Sequence, residues 1–211
     1  MSDKMNIKCD HIKHGCQRNS FIWINYSKKM IYLEIPKNGS SFMKKKILTN
    51  EWKNLDKKKY IDNNNCYSNY FVFTIFRDME ERIVSNYKDF CLSNKDIRVN
   101  QMCNLFKLPK IAIKQLSFSD FLKLASKYND HHWNSQIKYM YLTLEKKPII
   151  YNIKDLDKLI EKLNFKNEKR ENQSIKKSFE ITNDERKLIE NIYKEDYENL
   201  ELIYNNMFKS D

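Results

Sequence analysis

The segment Tyr70-Phe71-Val72-Phe73-Thr74-Ile75-Phe76 constrains the fold more than any other part of this chain. Only Thr74 interrupts its apolar character, so the alternation of a half-solvated strand is missing. A strand with no polar face has to be covered above and below, as in the middle of a parallel sheet flanked by helices. The run stops at Arg77-Asp78-Met79-Glu80-Glu81-Arg82, and Ile83, Tyr87 and Phe90 then recur at helical spacing. A buried strand leading directly into an amphipathic helix is a building unit of α/β domains.

The rest of the chain fits that unit. Residues 21–25 and 30–35 have strand length and β-favouring side chains, and the second run ends at Pro36. Ser40 or Ser41 is placed to cap a helix over 42–49, and Ser119 one over 120–128. Residues 148–153 read as a strand and 155–163 as a helix. A last helix is capped by Thr182 or Asn183, with an apolar stripe from Leu188 through Ile192, Tyr193 and Tyr197 to Ile203 that packs in the core. Residues 65–70 and 94–104 are polar and read as loops. With no dividing linker, residues 1–211 are expected to form one α/β domain: a P-loop-like three-layer arrangement with a central parallel sheet flanked by helices, and 1–20 as a loose N-terminal segment.

Charge narrows the partners. The net charge is +11, yet of 39 basic residues only six are arginine (Arg18, Arg77, Arg82, Arg98, Arg170 and Arg186). The lysines are scattered among acids, as compositional bias would leave them. Nucleic-acid readout favours clustered arginine, so no nucleic-acid partner is expected. Five cysteines without a CxxC pair suit a reducing compartment. Residues 1–10 are charged, with no apolar core of signal-peptide length, and no apolar run approaches the roughly 20 residues that span a bilayer. A soluble, cytoplasmic protein is expected.

Glycine and proline are scarce: two and three residues respectively. Pro36 and Gly39 nevertheless fall together in Pro36-Lys37-Asn38-Gly39-Ser40-Ser41, between a strand and a helix. There the first amides of the helix and its dipole favour an anion, Gly39 lets the backbone approach it, Lys37 supplies charge, and the serines supply hydroxyls. The alternative is an ordinary turn with a capping serine. The spacing is not that of a Walker A loop. Arg77 stands at the carboxyl end of the buried strand, where open α/β sheets bind ligands, and Ser85 follows on the next helix. Arg82 is either a further anion ligand or the ion-pair partner of Asp78.

These two segments resemble the motifs of sulfotransferases that use 3′-phosphoadenosine 5′-phosphosulfate (PAPS), specifically the Golgi-type carbohydrate sulfotransferases and their microbial and viral relatives. The family pattern P-K-x-G-[ST]-[ST] is matched at Pro36, Lys37, Gly39, Ser40 and Ser41. The pattern R-[DN]-P-x-x-R-x-x-S-x-Y is matched at Arg77, Asp78, Arg82, Ser85 and Tyr87, with Met79 replacing the proline. Two fainter likenesses follow: His132-Trp133-Asn134-Ser135-Gln136 to H-W-x-P-Q, without its proline, and Tyr193 to Tyr197 to a terminal Y-x-x-D-[FY] helix.

The resemblance implies that Pro36, Lys37, Asn38, Gly39, Ser40, Ser41 and Phe42 cradle the 5′-phosphosulfate and that Arg77 and Ser85 hold the 3′-phosphate. Lys37 would stabilise the leaving oxygen. A polar segment containing Asn172, Ser174, Lys176 and Lys177 would return to the nucleotide, with Lys176 as the contact. The acceptor would be a carbohydrate hydroxyl, in a microbial or viral setting, and no metal is expected. The base is open: no histidine lies between the motifs, which leaves Glu51, Asp56 and Asp62, or His131 and His132, of which His132 is the catalytic candidate. Cys9, His11, His14 and Cys16 could be read as a zinc site, but four ligands within eight residues are cramped for a tetrahedron. The competing functional readings are a small-molecule kinase and a non-enzymatic nucleic-acid-binding protein. The first lacks a Walker A lysine, and the second lacks a recognised binding motif.

Overall fold

The computed structural model describes residues 21–142, 147–164 and 179–208. β1 (Ile22–Asn25) and β2 (Met30–Leu33) form an antiparallel hairpin with Trp23 opposite Tyr32. Its turn is held by the Asn25 side chain, which accepts hydrogen bonds from Ser27 Oγ and the Lys28 amide. The chain next makes α1 (Ser40–Phe42), which runs directly into a π-helical turn, Met43–Ile47. β3 (Trp52–Asn54) pairs antiparallel with β1, and α2 (Lys57–Asp62) follows, capped by Asp56. β4 (Phe71–Phe76) lies parallel to β2, with Phe73 opposite Tyr32.

After β4 come α3 (Met79–Phe90), α4 (Asp96–Phe106), α5 (Lys110–Gln115), α6 (Phe118–Lys127) and α7 (Ile137–Met140). β5 (Ile149–Asn152) then pairs parallel with β4, and α8 (Leu156–Lys162) follows it. The last described segment carries α9 (Asn183–Ile192), α10 (Lys194–Glu198) and α11 (Leu200–Asn205). The sheet order is β3-β1-β2-β4-β5.

The fold is therefore mixed α/β. The expected parallel sheet is correct for β2, β4 and β5 and wrong for β1 and β3. The reason is connection length: the short turn between β1 and β2 can only reverse the chain, whereas a parallel pairing needs a crossover. β4 is the central strand of the parallel part. Val72 to Phe76 are all buried, and Thr74, the polar residue among them, donates its hydroxyl to the Leu33 carbonyl at 2.7 Å. Phe73 and Ile75 pack with Met43, Ile47, Leu156 and Leu159, while Phe76 joins Ile83, Phe90 and Trp133.

Other expectations need correction. Residues 94–104 are largely the helix α4 rather than a loop: Val99, Met102 and Phe106 recur at helical spacing and are buried, while the polar positions form the solvated face. The cap of α6 is Ser117, which accepts from the Asp120 amide, and not Ser119. The single long C-terminal helix is three helices, broken at Tyr193 (φ −108°, ψ 26°) and Asn199 (φ −115°, ψ 18°). Its start is as expected, with Thr182 and Glu185 in a reciprocal capping box. No helix among the described residues is long and apolar enough to cross a membrane.

Candidate functional site

The parallel strands β2 and β4 end side by side, and their carboxyl ends position the two sequence motifs. From β2 the chain passes through buried Ile35 and Pro36 into a turn closed by the Asn38 amide, which donates to the Ile35 carbonyl at 3.2 Å. Lys37 (φ 72°) and Gly39 (φ 78°) both adopt the left-handed region. For lysine this costs about 1 kcal/mol, a strain that the surrounding structure has to sustain. Glycine at 39 is there for its backbone and not for space, because an added Cβ would meet only Ile75 and Ile153 Cδ1, each at 3.9 Å.

Gly39, not a serine, occupies the cap position of α1, and no side chain caps that helix. The hydroxyls of Ser40 and Ser41 have no partner among the described residues. Neither serine therefore caps this helix, whose first amides have no side-chain cap.

Beneath the loop lies a buried polar lattice. The fully buried Asn38 side chain points inward: its Nδ2 donates to the Ile75 carbonyl at 2.7 Å and to Gln136 Oε1 at 2.5 Å. Gln136 also accepts from the Arg77 amide at 3.2 Å and returns its own Nε2 to the Arg77 carbonyl at 2.8 Å. One amide side chain thus spans the ends of both strands. The segment carrying it is fixed by buried Asp196, which accepts from Ser135 Oγ (2.8 Å), the Gln136 amide (2.9 Å) and the Ile137 amide (2.9 Å). Burial raises the pKa of that carboxyl, while these donors and nearby Arg82 pull it down.

Two arginines of the second motif hold the first. Arg77 Nη1 donates to the Lys37 carbonyl at 3.1 Å, and Arg82 Nε donates to the Pro36 carbonyl at 3.2 Å. Arg82 is fully buried, also donates to the Asn134 carbonyl at 2.7 Å, and lies over the Tyr193 ring. It is neither the anion ligand nor the partner of Asp78 that the sequence suggested. Asp78 caps α3, accepting from the Glu81 amide at 3.0 Å. Arg77 is partly exposed, with Glu81 at 3.9 Å, and burial lowers its pKa. Ser85 is half-buried on α3, and its hydroxyl has no partner among the described residues.

Above the loop, Lys37 Nζ contacts the Asp89 carboxylate and lies 4.8 Å from the centroid of the Phe90 ring. Arg98 Nε, from α4, reaches the same carboxylate at 3.5 Å. Burial lowers the Lys37 pKa against the pull of Asp89. Burial also works to raise the Asp89 pKa, but Lys37 and Arg98 outweigh it and hold that carboxyl below its usual range.

The His132 ring packs edge-on against Phe90, 4.8 Å between centroids, so Lys37 and His132 meet at one aromatic side chain. His132 Nδ1 is 2.6 Å from Asp130 Oδ1, and the Asp130 carboxyl is held below its usual range by its histidine partners, against burial. A carboxylate only accepts, so Nδ1 carries the proton and Nε2 keeps its lone pair. Burial, together with Lys37 and Arg98, lowers the His132 pKa against the pull of Asp130.

Pro36 to Ser41, Arg77 and His132 therefore come together, with Phe42 half-buried beside the sheet core. The acids proposed as alternative bases do not join them. Glu51 lies 3.7 Å from Lys28 and accepts from Asn25 at the other end of the sheet, Asp56 caps α2, and Asp62 is exposed at the end of that helix. Lys176, Lys177, Asn172 and Ser174, and the Cys9 to Cys16 segment, lie outside the described residues.

Asp89, Arg98 and Asp130 gave no sequence signal, while Gln136 and Asp196 were visible only within the two fainter likenesses. Possible ligand atoms of Asp130, His131 and His132 lie within 4.8 Å of one another, a spacing open to a metal ion, but Lys37 and Arg98 make the surroundings electropositive and disfavour a cation. A separate cavity of about 300 Å³, lined by Tyr128, Asn134, Lys138 and Glu195 among others, includes none of Lys37, Ser40, Ser41, Arg77 or His132. No protein-family model, no curated protein and no solved structure matches this chain.

Proposed function

We propose that this protein is a sulfotransferase that moves a sulfuryl group from PAPS to a hydroxyl of a carbohydrate acceptor. The observation that supports the reading is the bond from Arg77 Nη1 to the Lys37 carbonyl, which brings two motifs far apart in the chain together at the ends of two parallel strands. The uncapped amides and free hydroxyls at Ser40 and Ser41 suit the 5′-phosphosulfate, and Arg77 with Ser85 suits the 3′-phosphate.

In the reaction the acceptor oxygen attacks sulfur, the bond from sulfur to the bridging phosphate oxygen breaks, and its electron pair leaves with the nucleotide. The lattice beneath the loop fixes the amides before substrate arrives, so little reorganisation is needed as charge develops. Lys37 exchanges Asp89 for the developing negative charge on the leaving oxygen. His132 Nε2 takes the acceptor proton, while Asp130 holds Nδ1 and favours the resulting imidazolium.

Calorimetric titration with 3′-phosphoadenosine 5′-phosphate, paired with turnover of labelled PAPS, separates the roles. Lys37→Ala should lower turnover by about a hundredfold or more while changing nucleotide affinity only a few-fold. Arg77→Ala should weaken nucleotide binding by about tenfold to a hundredfold. The reverse pattern would reassign the two residues, and wild-type behaviour in both variants would overturn the proposal.

A further inference from the structure

Beyond the candidate site, α3 leads into α4 and α5, where the surface changes character. On α4, Val99, Met102 and Phe106 face the core and Ile97 points outward, 69% exposed. On α5, Ile113 is buried and Ile111 is 68% exposed. Leu92, in the link between α3 and α4, is 53% exposed. The segments are stitched together by Lys110 Nζ on Asp96 Oδ1 at 2.6 Å and by Lys114 Nζ donating to the Ser93 carbonyl. These ties bring together the segments that carry the three exposed aliphatic side chains, here called the rim.

Among the described residues seven large apolar side chains are exposed, and three of them fall in this one stretch. Scattered exposed aliphatics need no explanation, but a group does. Exposed Lys95 and Lys107 lie on the same stretch, and its acids are already engaged: Asp96 by Lys110, and Asp89 by Lys37 and Arg98.

We propose that this rim docks the protein on an anionic lipid surface, with Leu92, Ile97 and Ile111 entering the boundary between headgroups and acyl chains and the lysines meeting lipid phosphates. Charge decides between occupants: a second copy of the chain would set like charges against each other, whereas an anionic bilayer complements both the lysines and the aliphatic group. Arg98 links the rim to the site, because α4 carries it to Asp89 beside Lys37. Docking would present the site to an acceptor held at the membrane surface, a lipid-linked glycan. That last step rests on the sulfotransferase reading, and the docking itself does not.

Co-sedimentation of the full chain with vesicles tests the docking. The protein should pellet with equimolar phosphatidylcholine and phosphatidylglycerol, remain in solution with phosphatidylcholine alone, and be released by high salt. The exposed triple variant L92S/I97S/I111S should lose about tenfold or more of its partitioning, with an unchanged melting temperature. K95E/K107E should weaken binding as well. Failure to pellet with the mixed vesicles, or undiminished binding by the triple variant, would overturn the proposal. A concentration-dependent dimer that the triple variant abolishes would reassign the face to a second copy.

Discussion

At the scale of single residues, the site depends on charges held in partly dehydrated positions. Lys37 and His132 both have pKa values lowered mainly by burial, and both touch Phe90. On the proposed reading His132 is the base, and neutral imidazole is the form able to take a proton, so the acid limb of the rate profile should lie below the ordinary histidine value of about 6.5. The sign follows from the partners. The Asp130 carboxylate favours imidazolium, so Asp130→Asn should move that limb to still lower pH while slowing turnover, and His132→Gln should remove it. A rate profile from pH 4 to 9 checks this, and an acid limb unchanged by both substitutions would take His132 out of the mechanism. The same shift bears on stability. A depressed folded-state pKa means the unfolded chain takes up a proton first, so this contribution is present above pH about 6.5 and is lost as pH falls through the lower folded value.

At the scale of elements, three strand and helix ends are tied by one amide and one carboxylate. Asp196 satisfies three buried donors, and Gln136, which it positions, joins Asn38 to Arg77. Asp196→Ala leaves those donors and the Arg82 charge uncompensated and should cost about 3 kcal/mol or more. For a chain of this size that lowers the melting temperature by about 6–12 °C. Thermal unfolding checks this, and a loss of less than about 1 kcal/mol would contradict the lattice. These elements were legible in the sequence to different degrees. β4 and the turn at Gly39 stood out because continuous burial and a positive φ demand particular residue types. α4 did not, because its apolar positions are diluted by polar ones on the solvated face. Gln136 and Asp196 were invisible as a pair, since nothing in local pattern says which distant side chains will meet in a core.

At the scale of the whole molecule, a hairpin with one further antiparallel strand extends a short parallel sheet, and the candidate site sits at the carboxyl ends of the parallel strands. The strand-to-helix rhythm revealed the α/β class, while the antiparallel half depended on connection length and on β3, a strand with only Trp52 buried. Arg82 shows the limit of motif reading: its position matched, but its side chain supports the loop instead of facing a ligand. Whether the two motifs form a PAPS site is most directly tested by thermal unfolding with 3′-phosphoadenosine 5′-phosphate beside ATP. At about a hundredfold over its dissociation constant the first nucleotide should stabilise the fold by about 2.7 kcal/mol, a rise of roughly 5–10 °C, with little or none from ATP at the same concentration. No rise at millimolar 3′-phosphoadenosine 5′-phosphate, or an equal rise with ATP, would contradict it.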